Sequence, residues 1–163
     1  MKIGVISDTH IPDRAKEIPK AILEDFRNTD LILHAGDLVV LEVLERLKDI
    51  KSQVIAVWGN MDHRGVKEIL SEKEIIDVGK IKIGLFHGWG HPKDLVDLAK
   101  REFQRDGCDV VVFGHSHSPF CQIKDKILFF NPGSPTDKIF SPYNSYGILE
   151  IDDEVKGKIV RIT

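Results

Sequence analysis

With 163 residues, the chain is the size of one ordinary domain, able to bury roughly 70% of its unfolded surface without disulfides or other staples. Apolar residues at 42% and charged residues at 30% exclude a disordered chain. A formal net charge of −3 disfavours a dedicated nucleic-acid binder, which would carry a basic patch or stripe.

In chain order, Lys2–Ser7 (KIGVIS) reads as a buried strand. Glu17–Asn28 carries Ile18, Ile22 and Phe26 at helical spacing, and Pro19 fits the first turn of that helix. Leu31–Gly36 (LILHAG) is the next strand. Leu38–Ile50 is a strongly amphipathic helical pattern, and Gln53–Gly59 (QVIAVWG) is a third strand. A short helix is predicted around Gly65–Leu70. EIIDVG and KIKIGLF then read as a hairpin across Gly79-Lys80. Lys93–Gly107 is a helix closed by Gly107, and Cys108–Gly114 (CDVVVFG) is another buried strand. FCQIKD and KILFFN form a predicted hairpin with its charged turn at Lys124–Lys126. The last two strands are Tyr143–Asp152 and Glu154–Thr163, joined by an acidic turn at Asp152–Glu154. The first half is βαβαβ, which implies parallel strands, and the second half is richer in hairpins. The sum is one mixed α/β domain of two sheets with helices outside, spanning 1–163.

Cys108 and Cys121 match no CxxC or zinc-ribbon spacing and read as free, semi-buried thiols. The opening MKIGVISDTH reaches Asp8 without a long apolar stretch, and no run approaches the ~18 apolar residues of a membrane helix. The expectation is a cytoplasmic protein with no membrane segment.

The apolar runs share one feature. The first ends in Asp8, with His10 two later; the others end in Asp37, Asn60, His87, and His115 with His117 two later. In open α/β sheets ligands bind at the carboxyl ends of strands, so these residues are expected to converge on one rim. Neutral imidazole is the commonest metal ligand, and endings drawn only from Asp, Asn and His point to a metal site rather than to loop composition.

The ordered set SDTH, AGD, GNMD, FHG and GHSH resembles the calcineurin-like metallophosphoesterases, and within them the small bacterial and archaeal phosphodiesterases. The resemblance spans Asp8 to His117. It implies a four-layer α/β/β/α sandwich, two mixed sheets flanked by helices, with two divalent ions per chain. Carried onto this sequence, Asp8, His10 and His117 would hold one ion, Asn60, His87 and His115 the other, and Asp37 both. Mixed oxygen and imidazole ligands suit manganese, iron, nickel, cobalt or zinc without selecting one of them; manganese or nickel is the expectation, with iron, cobalt, zinc or magnesium as further candidates. The implied activity is hydrolysis of a small phosphodiester by a hydroxide bridging the two metals. The substrate would be small, because so short a chain has no cap domain; nucleotide-like diesters are among the candidates. Such proteins often self-associate, so a homo-oligomer is an expectation, although no residue here marks an interface.

One position departs from the pattern. The family's G-N-H-[DE] block carries a histidine often assigned to the leaving group, and here Met61 replaces it. Asp62 matches the acidic place. His63 stands two positions late and is open to two readings, substitute acid or surface loop residue. Arg14 is a candidate phosphate grip and His91 a candidate substrate contact, beside Trp89 in the same loop. His34 reads as a hydrogen-bonded packing residue, and NPGSP (Asn131–Pro135) as turn chemistry near the site. The rival class is a protein-binding scaffold on the same fold, as in the retromer coat, which is free to lose ligands; here every ligand position is filled. A metal-dependent nuclease is disfavoured by the acidic net charge.

Overall fold

A strand buried on both faces needs apolar residues on both, and Lys2–Ile6 supplies them: Ile3 and Val5 join one apolar cluster and Ile6 another. The computed structural model describes residues 1–51, 53–152 and 154–162. Asp153 in the predicted acidic turn and Thr163 at the end of the last predicted strand lie outside the described residues.

The strands are β1 (Lys2–Ile6), β2 (Leu31–Ala35), β3 (Val54–Val57), β4 (Lys73–Val78), β5 (Ile81–Phe86), β6 (Val110–Val112), β7 (Phe120–Lys124), β8 (Ile127–Asn131), β9 (Ser145–Ile151) and β10 (Val155–Arg161). The helices are α1 (Lys20–Phe26), α2 (Glu42–Lys48), α3 (Arg64–Lys67) and α4 (Leu95–Phe103). The first sheet has the order β10-β9-β1-β2-β3, with β1, β2 and β3 parallel. The second has the order β4-β5-β6-β8-β7, with β5, β6 and β8 parallel and antiparallel strands at its edges.

Three apolar clusters define the four layers. Between the sheets lie Ile3, Val5, Leu31 and Leu33 with Ile83, Leu85, Val112 and Phe130. Ile6 and Ile32 meet Ile22 and Phe26 of α1 and Leu44 and Leu47 of α2 on the outer side of the first sheet. Leu95, Leu98 and Phe103 of α4 cover Val111 and Phe129 of the second. The fold is therefore the expected α/β/β/α sandwich. The Phe26 ring needs room on β1, and a Cβ at Gly4 would stand 2.7 Å from its Cδ1. The hairpins also form where expected. Val78 pairs with Ile81 across Gly79-Lys80. Asp125 and Lys126 take positive φ between β7 and β8, as a tight two-residue turn requires. Cys108 and Cys121 are free, and burial pushes the Cys108 thiol up to about 11. Among the described residues, no helix is long and apolar enough to cross a membrane.

Several predicted helices are shorter than their patterns. The helix expected over Glu17–Asn28 begins at Lys20, and Pro19 is its cap with extended ψ (133°) rather than a member of its first turn. The helix expected over Leu38–Ile50 begins at Glu42; Leu38 and Val39 are fully buried but lie in the preceding loop, where Val39 has φ 81°. Lys93–Gly107 divides into a single 3-10 turn at Pro92–Asp94 and α4. At Ile18, Leu38 and Val39 apolar spacing reports burial in a loop rather than a helix face, whereas Pro92–Asp94 is exposed.

Candidate metal centre

Strands β1, β2 and β3 of one sheet and β5 and β6 of the other deliver their carboxyl ends to one place. The loops there turn sharply. Asp8, His10, Asp37, His115 and His117 all have positive φ, between 43° and 65°. Left-handed backbone costs a non-glycine residue on the order of 1 kcal/mol, and such residues collect at functional sites. Backbone bonds hold them: Asp8 N donates to Gly36 O at 3.0 Å, His10 N to Asp37 O at 3.0 Å, and Gly114 N to His87 O at 3.1 Å.

The structure brings all seven predicted ligand side chains together in two overlapping groups. Asp8, His10, Asp37 and His117 offer ligand atoms that all lie within 4.8 Å of one another. His10 Nε2 and His117 Nε2 face each other at 3.1 Å. In the second group, Asn60 Oδ1 lies 3.2 Å from His87 Nε2 and 3.1 Å from His115 Nδ1. Asp37 Oδ2 stands between the groups, 3.6 Å from His10 Nε2 and 3.3 Å from His87 Nε2.

The chemistry of this donor set fits divalent ions. Asp8 Oδ2 accepts from Ser7 Oγ (2.7 Å) and from His115 N (3.2 Å), but the buried Oδ1 has no hydrogen-bond partner among the described residues. Three imidazole nitrogens surround it, from His117 at 3.3 Å and from His10 and His87 at 3.9 Å. An orphaned buried carboxylate oxygen is costly, and a cation satisfies it. The electrostatics agree. Burial would raise the Asp8 carboxyl, but His117, the charge of His87 and the Ser7 hydroxyl hold it down at about 2. Burial would lower His87, but Asp37, Asp8 and the Ala35 carbonyl push it up to about 9. These carboxylates demand positive charge, and ions can replace the protons that otherwise supply it.

Supporting residues set the geometry. Asp62 is buried and accepts from three backbone N–H groups: Asp37 and Gly59 at Oδ2 (3.0 and 2.6 Å) and Val39 at Oδ1 (2.5 Å). It thus ties the Asp37 loop to the Asn60 loop. Ser134 Oγ donates to Asp8 O at 2.7 Å, and Asn131 Nδ2 donates to Gly114 O at 2.8 Å, so the NPGSP segment braces the loops. His34 is fully buried. Its Nδ1 accepts from Gly36 N at 3.2 Å and its Nε2 meets Thr9 Oγ1 at 3.1 Å; burial pushes it down to about 3, keeping it neutral.

Other candidates stand apart from the cluster. His63 is exposed at the start of α3, its backbone N donating to Val39 O at 3.2 Å, and its ring does not line the cleft over the cluster. His91 is exposed too, and its Nδ1 accepts from Lys93 N at 3.2 Å, capping the 3-10 turn. Trp89 packs edge-on against Phe86. Arg14 does line the cleft. Its Nη1 donates to Asp137 Oδ1 at 2.9 Å, while Asp137 Oδ2 accepts from His117 Nδ1. The sequence reading missed Asp137; it lies 20 residues beyond His117, and no local spacing links them.

The cleft above the cluster has a volume of about 300 Å³. A calcineurin-like phosphoesterase superfamily domain matches residues 1–154. A probable metallophosphoesterase of Methanocaldococcus jannaschii is 43% identical over 99% of this chain and 82% of its own length. A phosphodiesterase of the same organism is 32% identical over 82% of this chain and 83% of its own. Among solved structures, Vps29 of Entamoeba histolytica in complex with zinc superposes with a TM-score of 0.77 at 28% identity, covering 99% of both chains. The strand-end ligand set, the two-sheet sandwich and these likenesses agree: the chain belongs to the calcineurin-like phosphoesterase superfamily.

Proposed function

We propose that the protein is a divalent-metal-dependent phosphodiesterase acting on small phosphodiesters, its whole length serving as one domain. The observation that carries this reading is Asp8 Oδ1, without a hydrogen-bond partner among the described residues, in front of three imidazole nitrogens. Asp8, His10 and His117 would hold one ion, Asn60, His87 and His115 a second, and Asp37 would touch both, with manganese or nickel as the preferred metals. Bound there, the ions would activate water and neutralise charge on the phosphoryl oxygens.

The chain's own residues do the rest. Asp137 accepts a hydrogen bond from His117 Nδ1, so Nε2 is the nitrogen left facing Asp8. Asp62 fixes the backbone on either side of Asp37 and keeps the two ligand groups in register. Arg14, which lines the cleft, would meet a phosphoryl oxygen. Asp62 holds backbone rather than moving protons, and exposed His63 offers no acid at the cleft.

Met61, which stands where the family pattern has a histidine, lines the cleft, and a thioether transfers no proton. The leaving oxygen must depart as an anion or take its proton from solvent. Across a series of diesters from aryl to alkyl, log kcat/KM is therefore expected to fall steeply with leaving-group pKa. A flat plot, with Met61→His adding nothing on alkyl esters, would remove the idea.

The test of the function is turnover of bis-p-nitrophenyl phosphate and p-nitrophenyl phosphate by metal-stripped protein refilled with manganese, nickel, magnesium or zinc. Metal-dependent cleavage favouring the diester is expected. Bound ions with no turnover of either ester would favour a scaffold role, for which the likeness to Vps29 is the supporting observation.

A further inference from the structure

The cleft holds two side chains that its metal chemistry does not use. Phe140 is 65% exposed and Met61 is 52% exposed, and both line the cavity that contains His10, Asp37 and Asn60. Large apolar groups left in water beside a polar cluster usually await an apolar partner.

Phe140 is also fixed in place. Its backbone N donates to Asp137 Oδ2 at 3.2 Å, and Ser141 Oγ donates to His117 O at 2.6 Å. The ring meets the His117 imidazole edge-on with centroids 6.1 Å apart. The Arg14 guanidinium carbon sits 5.6 Å from the ring centroid, while Asp137 holds Nη1. One carboxylate, Asp137, thus positions a metal-facing imidazole, a guanidinium and an aromatic platform together. A platform held this way loses little entropy on binding. Met61, in the same lining, is tethered through its backbone N to Asp37 Oδ1 at 2.7 Å. Thioether sulfur makes favourable contacts with aromatic rings.

We propose that this cleft binds phosphodiesters carrying a planar aromatic ester arm, the ring stacking on Phe140 beside Met61 while Arg14 meets the phosphoryl group. The proposal rests on the phosphodiesterase reading and names its substrate class. A protein side chain is the competing occupant, since neighbouring Ile139 is exposed as well. The aromatic ester is favoured because Phe140 lines the cleft and Ile139 does not, and because a cation stands on the same wall.

The test compares two ligands that carry no ester bond to hydrolyse, phenylphosphonate and methylphosphonate, by calorimetric titration of manganese-loaded protein. Phenylphosphonate is expected to bind about tenfold more tightly, within the range that stacking on an aromatic side chain contributes. Phe140→Ala should close the gap, and Phe140→Trp should keep it. Equal affinities in the wild type, or a gap that survives Phe140→Ala, would overturn the assignment and leave the exposed ring to a protein partner. The gap together with a complete lack of diester turnover would support the cleft assignment while removing the phosphodiesterase reading.

Discussion

If the proposed two-ion phosphodiesterase centre holds, Asp37→Ala is expected to release both ions together and to bring diester turnover to about 1% of wild type or less. The magnitude follows from position. Losing a residue that merely supports a metal ligand costs about 10–100-fold in affinity. Asp37 is in closer contact: its Oδ2 lies within 3.6 Å of His10 Nε2 and 3.3 Å of His87 Nε2, one imidazole from each ligand group. Removing a charge that both proposed sites would share should leave neither intact. Its other oxygen accepts from Met61 N at 2.7 Å, so the cleft wall would loosen as well. Metal content per chain and turnover of bis-p-nitrophenyl phosphate check the outcome. A variant that keeps one ion firmly would show that the two groups bind independently.

Asp62→Ala is expected to cost about 3 kcal/mol or more of folding stability, because each buried N–H left without an acceptor costs about 1–3 kcal/mol. Three such groups, on Asp37, Val39 and Gly59, depend on this one carboxylate. Val39 adds to the demand, since a β-branched residue at φ 81° holds that conformation only under constraint. Asp62→Asn keeps one carbonyl oxygen and should fall between the two. Urea unfolding measures the difference. A loss below about 1 kcal/mol would mean that water replaces the carboxylate at these donors.

The candidate ligands were legible because the chain announces each of them in the same way. A buried strand stops, and Asp, Asn or His stands where the next loop starts. The sandwich was legible for a related reason: strands such as β6, with three consecutive valines buried on both faces, demand layers on either side. What could not be read has no local pattern. Asp137 matters because of His117 and Arg14, which are distant in sequence. Phe140 belongs to no motif, and only the fold sets it on the cleft wall. The helix bounds failed at Leu38 and Val39, where apolar side chains are buried under the metal loop rather than on a helix face. His63 and His91 show the converse: a histidine near the motif in sequence need not reach the cleft.

The most direct test is equilibrium dialysis of metal-stripped protein against manganese, with bound metal counted per chain. If the orphaned Asp8 oxygen and the imidazoles around it form a two-ion centre, the wild type saturates at two ions and Asp8→Ala loses the tighter binding. Saturation at one ion, or no saturable binding at all, would contradict it.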